Sequence, residues 1–269
     1  MHPQSQQFLD EVRAVLPHTY SVRSYLDAGG QGAIFLGELR GERVAIKIFQ
    51  PSHDQRRLER ELEALAKIDC PYLVKVKDFT AVSLGGGAHP VVAYEFLPGG
   101  DLRQFAGTSA SETCLATIGE NIGTAIETLW RNRIVHRDIK PANIVKAAVD
   151  RYVLVDIGLA RHIERSALTA PGAVAGTYGY LSPEQSLGRR NLTIRSDIFS
   201  FGLTLYEAAA GRHPFGGVQQ LLNTTPPQSL ASLRPDLDLR LVRLVHEMMS
   251  LRPVDRPAAV AFRFRNIGV

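Results

Sequence analysis

The stretch "HRDIKPANIV", residues 136–145, sets a carboxylate, Asp138, an ammonium, Lys140, and an amide, Asn143, close together in the chain. That trio has two readings: a segment that transfers a phosphoryl group, or a polar turn between two strands. Further on, "LVDIGLA" ends an apolar strand-like run on a second carboxylate, Asp156. Upstream, "VAIK" places Lys47 on an apolar strand, where a buried ammonium needs an anionic partner because an unpaired buried charge is costly. Just before it, "LDAGGQGAIFLG" carries Gly29, Gly30 and Gly32 between two strand-like runs. Glycines in such a turn let backbone N–H groups approach phosphate oxygens without side chains in the way, although hairpins use glycine turns too.

These residues need elements to hold them. Residues 5–16 put Phe8, Leu9, Val12, Val15 and Leu16 on one helical face, and Pro17 closes that helix. It packs on the region that follows or docks a partner. Three strand-like runs come next, "YSVRSYL", "GAIFLGEL" and "RVAIKIF". "DQRRLERELEALAKI" then reads as a helix with Leu58, Leu62 and Leu65 along a face. "YLVKVKDF" and "PVVAYEFL" read as two more strands separated by a loop, "SLGGGAH".

After "PGGD" the pattern turns helical. Leu115, Ile118, Ile122, Ile126 and Leu129 recur at three- and four-residue steps, so one stripe of that helix is buried. "IFSFGLTLYEAAAG" is apolar nearly all round, as in a core helix. A β-rich first part and a helical second part predict two lobes joined near residues 95–100.

The chain has 269 residues, 45% hydrophobic and 22% charged, which is ordinary globular composition. No run approaches the roughly 18 apolar residues that cross a bilayer, and the start lacks an export signal. The expectation is a soluble, cytoplasmic protein. Cys70 and Cys114 lie far apart and form no metal-ligand pair. Net charge is +4 with dispersed arginines, which argues for a solvated surface and against nucleic-acid binding.

Taken together these motifs resemble a eukaryotic-type (Hanks-type) serine/threonine protein kinase domain, particularly its bacterial members, from about Tyr20 to Phe264. The resemblance implies an α+β, protein-kinase-like bilobal fold: a small antiparallel β N-lobe with one main helix and a mostly helical C-lobe. It divides the chain into an N-terminal helical extension, 1–17, an N-lobe, 18–97, and a C-lobe, 98–269, as one kinase domain. The implied reaction moves the ATP γ-phosphoryl group to Ser/Thr hydroxyls of protein substrates, with Mg²⁺ or Mn²⁺. Alternatives are a nucleotide-holding pseudokinase or scaffold and a small-molecule kinase of the aminoglycoside-phosphotransferase type.

The resemblance also implies roles. Asp138 orients the substrate hydroxyl and accepts its proton, Lys140 stabilises the transferring group, and Asn143 and Asp156 hold the metal. Lys47 and Glu61 pair around the nucleotide phosphates, with Glu59 and Glu63 as local rivals of Glu61. Gly29, Gly30, Gly32, Ile34, Ala45, Tyr94, Val145 and the backbone of Glu95 and Leu97 line the nucleotide. Asp101 meets the ribose or is simply a turn acid. Thr177, in "GTYGYLSPE", contacts the catalytic aspartate and lysine within a substrate-docking segment. Glu184 pairs with Arg256, Asp197 braces the catalytic loop, and Thr169 and Ser166 are candidate phosphate acceptors answering to Arg137. Asp27 and Gln31 depart from the family's glycine-rich pattern, and Ser182 replaces the alanine of its A-P-E motif.

Overall fold

The computed structural model describes residues 3–29, 32–51, 55–157, 179–218 and 225–267. The chain divides into two compact units. The first takes the residues up to Asp69 together with Val74–Leu97. The second takes Cys70–Leu73 and the described residues from Pro98 onward.

In the first unit, β1 (Tyr20–Gly29), β2 (Gly32–Leu39), β3 (Glu42–Phe49), β4 (Val76–Leu84) and β5 (Gly87–Glu95) form one antiparallel sheet in the order β1-β2-β3-β5-β4. Side chains of a strand alternate between faces, and residues paired directly across strands share a face. Ala33, Phe35, Val44, Ile46, Ile48, Val82, Leu84, Val91 and Ala93 make the buried apolar cluster on one side.

Helix α1 (Pro3–Val15) covers that side. It brings Val12, fully buried, and Leu16 into the cluster, and it sets the Phe8 ring 5.9 Å from that of Phe35. Arg13 fixes the docking by donating from Nε to the Val22 carbonyl and from Nη2 to the Arg23 carbonyl, each at 3.0 Å. Those carbonyls sit where β1 shifts register against β2. The helix therefore serves the sheet, and the five-residue face expected of it is narrower. Val15 is 38% exposed, because the packed stripe runs through positions 8, 12 and 16. The side chain of Leu9 lies outside the described residues.

In two further places the structure differs from the expectation. The loop "SLGGGAH" is mostly strand: β4 runs to Leu84, β5 starts at Gly87, and a two-residue Gly85–Gly86 turn with φ of 55° and 80° joins them. Positive φ at both turn positions matches the twist of paired strands, so a glycine pair here signals a tight hairpin. The strand predicted from Tyr72 begins instead at Val76. Helix α2 (Gln55–Ala66) packs beside β4 and buries Leu62 and Leu65.

In the second unit, α3 (Glu112–Arg131) buries Leu115, Ile118, Ile122, Ile126 and Leu129, and the Ser111 hydroxyl caps it by accepting from the Cys114 N–H. It packs against the helix Ile194–Ala210, which is buried nearly all round, and against the short helix Ala261–Arg265. The hairpin β6 (Ile144–Ala148) and β7 (Arg151–Leu154) lies on α3, tied to it by the Tyr152 N–H on Asn121 Oδ1 at 2.9 Å. The segment Cys70–Leu73 docks on β7 through the Leu154 N–H on the Tyr72 carbonyl, 2.9 Å.

One glycine is required by packing. Gly32 takes φ +146°, and a Cβ there would lie 2.0 Å from the Ile48 carbonyl oxygen of β3. Gly32→Ala combines a strained backbone with a backbone clash, and should cost about 2 kcal/mol or more. A thermal melt should register this as a drop in Tm of roughly 5 °C.

Candidate active site

The residues of "HRDIKPANIV" converge in the second unit around one buried carboxylate. Asp197, in the first turn of the helix Ile194–Ala210, accepts the His136 N–H on Oδ2 and the Arg137 N–H on Oδ1, both at 2.7 Å. Between these bonds Arg137 adopts a left-handed backbone, φ 69°, which non-glycine residues rarely adopt without such restraint. His136 is fully buried; its Nδ1 accepts the Asp138 N–H at 3.3 Å and its Nε2 faces the Val155 carbonyl at 3.0 Å. Only the neutral Nε2–H form satisfies both partners.

This frame presents the chemistry. Lys140 Nζ lies 3.1 Å from Asp138 Oδ2. Asn143 Nδ2 donates to the Asp138 carbonyl at 2.7 Å and lies 3.2 Å from Asp138 Oδ2. With its nitrogen bound to a carbonyl, the Asn143 amide is oriented, and its oxygen points the other way. Asn143 leads into β6 and Asp156 follows β7; Ile144 pairs with Leu154, and the Val155 N–H donates to the Asn143 carbonyl at 2.9 Å. The amide and the carboxylate thus stand at the same end of one hairpin, with Asp156 at φ 60°. Two oxygen donors suit a hard divalent cation that completes its shell with water and phosphate oxygens. Among the described residues no group of three or more His, Cys, Asp or Glu is placed to hold a metal unaided.

A residue that sequence reasoning passed over joins this frame. Ser182 N–H and Oγ both donate to Gln185 Oε1, at 3.1 and 2.9 Å, which turns Gln185 Nε2 onto the Arg137 carbonyl at 3.0 Å. The strained Arg137 is thereby held at its N–H by Asp197 and at its C=O by Gln185. A helix-capping S-x-x-Q spacing was visible at Ser182–Gln185, but nothing in it pointed to Arg137. The serine that replaces the motif's alanine is the donor that orients Gln185.

Beside it, Arg256 forks onto Glu184: Nη1 to Oε1 at 2.7 Å and Nη2 to Oε2 at 3.0 Å. Ser196 Oγ adds a bond to Oε1 at 2.8 Å. The guanidinium also donates to the Ser250, Arg195 and Leu251 carbonyls and stacks 4.6 Å over the Phe199 ring. Asp101 is engaged as well. It accepts from the Arg103 N–H at 2.8 Å and pairs with the Arg103 guanidinium, Nη2 to Oδ2 at 2.7 Å. Asp101 also forms an isolated backbone bridge with Val145.

In the first unit, Ile34, Ala45, Lys47 and Tyr94 of the expected nucleotide residues stand in two adjacent rows on the sheet face opposite α1. Ile34, Lys47 and Val92 pair across three strands, and Leu36, Ala45 and Tyr94 form the next row. Lys47 is 4% exposed, with Nζ 4.9 Å from the centre of the Phe49 ring. Glu61 lies in α2, but its side chain is outside the described residues, as are Gly30, Gln31, Ser166, Thr169 and Thr177. Gly29 ends β1 and pairs with Gly32. Asp27 is exposed and turns its carboxylate back onto the Ala28 N–H at 2.9 Å. At the end of β5, the Glu95 N–H donates to the Lys75 carbonyl at 3.0 Å and its carboxylate accepts the Lys75 N–H; Leu97 follows half-buried.

The chain belongs to the protein kinase domain family, whose model matches residues 20–263. It is 31% identical over 262 residues to a probable serine/threonine-protein kinase of Corynebacterium efficiens, covering 90% of this chain and 40% of that protein. It is 35% identical over 215 residues to the serine/threonine-protein kinase PknB of Mycobacterium tuberculosis, covering 75% of this chain and 34% of that protein. The chain therefore spans well under half the length of these relatives. Among solved structures, the PknI kinase domain of Mycobacterium tuberculosis superposes with a TM-score of 0.71 at 23% identity, covering 94% of this chain and 96% of that one. Rad53 1-466 in complex with AMP-PNP gives a TM-score of 0.74 at 22% identity, over 97% of this chain and 68% of that one. The α+β kinase fold follows from both.

The Glu184–Arg256 pair sets an acid limit on stability. Burial alone would push the Glu184 carboxyl up, but the Arg256 fork, its own backbone N–H and the Ser196 hydroxyl outweigh it and hold it below the ordinary carboxylate value. A depressed folded value means the pair's contribution is complete above the ordinary carboxylate range and is lost as pH falls through the lower, folded one. Arg256→Ala leaves a buried carboxylate unpaired and should cost about 3–5 kcal/mol at neutral pH. Its melting temperature should then depend less steeply on pH in the acid range than that of the wild type, as followed by circular dichroism.

Proposed function

We propose that this chain is an active serine/threonine protein kinase domain that transfers the ATP γ-phosphoryl group to Ser/Thr hydroxyls of protein substrates. The observation that carries the reading is the oriented Asp138–Lys140–Asn143 set, held by Asp197 and Gln185 on a backbone that would not adopt this shape unaided. Residues 18–97 and 98–269 would act as the two lobes of this one domain, with 1–17 as its extension. Two free cysteines, Cys70 and Cys114, accord with a reducing, cytoplasmic setting.

In this reading Asp138 orients the substrate hydroxyl and takes its proton as the oxygen attacks, and Lys140 lies within reach to offset charge on the transferring group. Asn143 and Asp156 would hold a divalent cation, which with bound ATP would supply the phosphoryl group and the charge neutralisation. Lys47, with Glu61, would hold the nucleotide phosphates. The sheet rows with Ile34, Ala45 and Tyr94, together with Val145, would line the adenine. Because the Glu95 N–H is bonded to Lys75, adenine would meet the Glu95 carbonyl and the Leu97 backbone. Asp101 would reach the ribose in competition with Arg103. Gly29 to Gly32 would form the glycine-rich loop that takes phosphate, beside an exposed Asp27 whose carboxylate is bonded to the Ala28 N–H. Thr169 and Ser166 would accept phosphate autocatalytically, which intact-mass spectra after incubation with Mg-ATP would reveal as added phosphate.

Radiolabel transfer from γ-labelled ATP to a generic basic protein tests the main reading. Asp138→Asn should lower kcat by about 10²–10⁴-fold with the fold intact; equal transfer by wild type and variant would overturn it. Gln185→Leu removes the donor to the Arg137 carbonyl without touching substrate. It should lower kcat by roughly 10-fold or more, since small misplacements of a catalytic group are costly, while the KM for ATP stays near that of the wild type.

A further inference from the structure

The stretch "GRHPFGG" follows the helix Ile194–Ala210. Its histidine is engaged through both ring nitrogens. His213 Nδ1 lies 3.1 Å from the Phe215 N–H and 2.9 Å from the Gly217 N–H. Both are donors, so Nδ1 must be bare, and Nε2 carries the proton that it donates to the Gly179 carbonyl at 3.0 Å. Gly179 belongs to "GTYGYLSPE" and lies so close that a Cβ on it would stand 3.0 Å from the Gly217 oxygen. The next residue, Tyr180, sets its ring edge-on to His213, centroids 5.0 Å apart at 87°, and donates its hydroxyl to Glu207.

We propose that His213 is a positioning residue for protein-substrate recognition: as a neutral imidazole it holds the Gly179–Tyr180 part of the docking segment on the Phe215–Gly217 turn, and on protonation it releases it. The role of the docking segment rests on the kinase reading; the anchor itself does not. Protonation would place an N–H on Nδ1 facing two backbone N–H groups, turning two attractions into repulsions.

The surroundings favour the neutral form. Burial lowers the His213 value below the ordinary one, although its bond to the Gly179 carbonyl works the other way. From the docking segment it faces Tyr180, whose phenol burial raises far above its usual range, with the bond to Glu207 adding to the rise. From the helix comes Glu207, whose carboxyl burial pushes up against the opposing Tyr180 bond, so acid also removes the nearby anion. On its own turn Arg212 is a neighbouring cation. A lowered folded value means the anchor is intact above the ordinary histidine range and is lost as pH falls through the folded one.

The test compares wild type, His213→Gln and His213→Ala from about pH 8 down to about pH 5, reaching below the ordinary histidine value because the folded one is lowered. Gln keeps an acceptor and a donor but does not titrate. In the wild type, KM for a basic protein substrate should rise roughly 5-fold or more towards acid while KM for ATP stays level. In His213→Gln the substrate KM should stay level, and in His213→Ala it should be high throughout. Coincident substrate-KM profiles for wild type and His213→Gln would overturn the proposal. Hydrogen exchange in the peptide spanning Gly179–Leu181 reads the anchor without any turnover: its protection should fall with acid in the wild type and not in His213→Gln. Equal protection in both at every pH would remove the anchor, whereas absence of phosphoryl transfer at neutral pH would instead remove the kinase reading.

Discussion

The Asp197 carboxylate accepts two consecutive backbone N–H groups from a loop that its own helix does not contain, and the rest of the second unit is arranged around that fact. Two charge-assisted bonds from one buried acid can offset the strain of a left-handed Arg137, which on its own would cost about 1–3 kcal/mol. The acid lies in the first turn of a helix, where the helix dipole favours negative charge. Because the helix Ile194–Ala210 is buried nearly all round, the clamp is anchored in the core of this unit. Asp138, Lys140 and Asn143 inherit their orientation from it, and Gln185 closes the remaining side.

The first unit solves a different problem with the alternation of strands. One face of the sheet carries only packing, sealed by α1; the other carries Ile34, Ala45, Lys47 and Tyr94 in two rows. The same three strands can thus serve both packing and the proposed nucleotide site, since neighbours in sequence belong to opposite faces. Gly32 shows how tightly the two tasks are joined, because the close approach of β2 to β3 leaves no room for a side chain.

Much of this was legible in the sequence wherever the signal is local. The trio in "HRDIKPANIV", the carboxylate at the end of β7 and the buried stripe of α3 are set by spacing within one element, so a linear reading reaches them. The tight turn at Gly85–Gly86 is not legible because a run of three glycines reads as a loop until strand pairing sets its register. Val15 escapes a linear reading because a helical face one residue too wide still fits the periodicity. Gln185, Arg103 and His213 were not legible as partners. Polar side chains carry no periodic signal, and the carbonyls that Gln185 and His213 bind, at Arg137 and Gly179, are far away in sequence.

The helix that covers the sheet also shifts where the folding unit begins. The family match starts at Tyr20, yet Val12 and Leu16 complete the apolar cluster against which Phe35, Val44 and Ile46 are buried. A fragment cut at the family boundary would keep every residue of the proposed chemistry and still present a wet aromatic and aliphatic surface on one side of the sheet. Such a patch is a route to self-association, so solubility of the isolated catalytic fragment depends on a segment that the family pattern does not include.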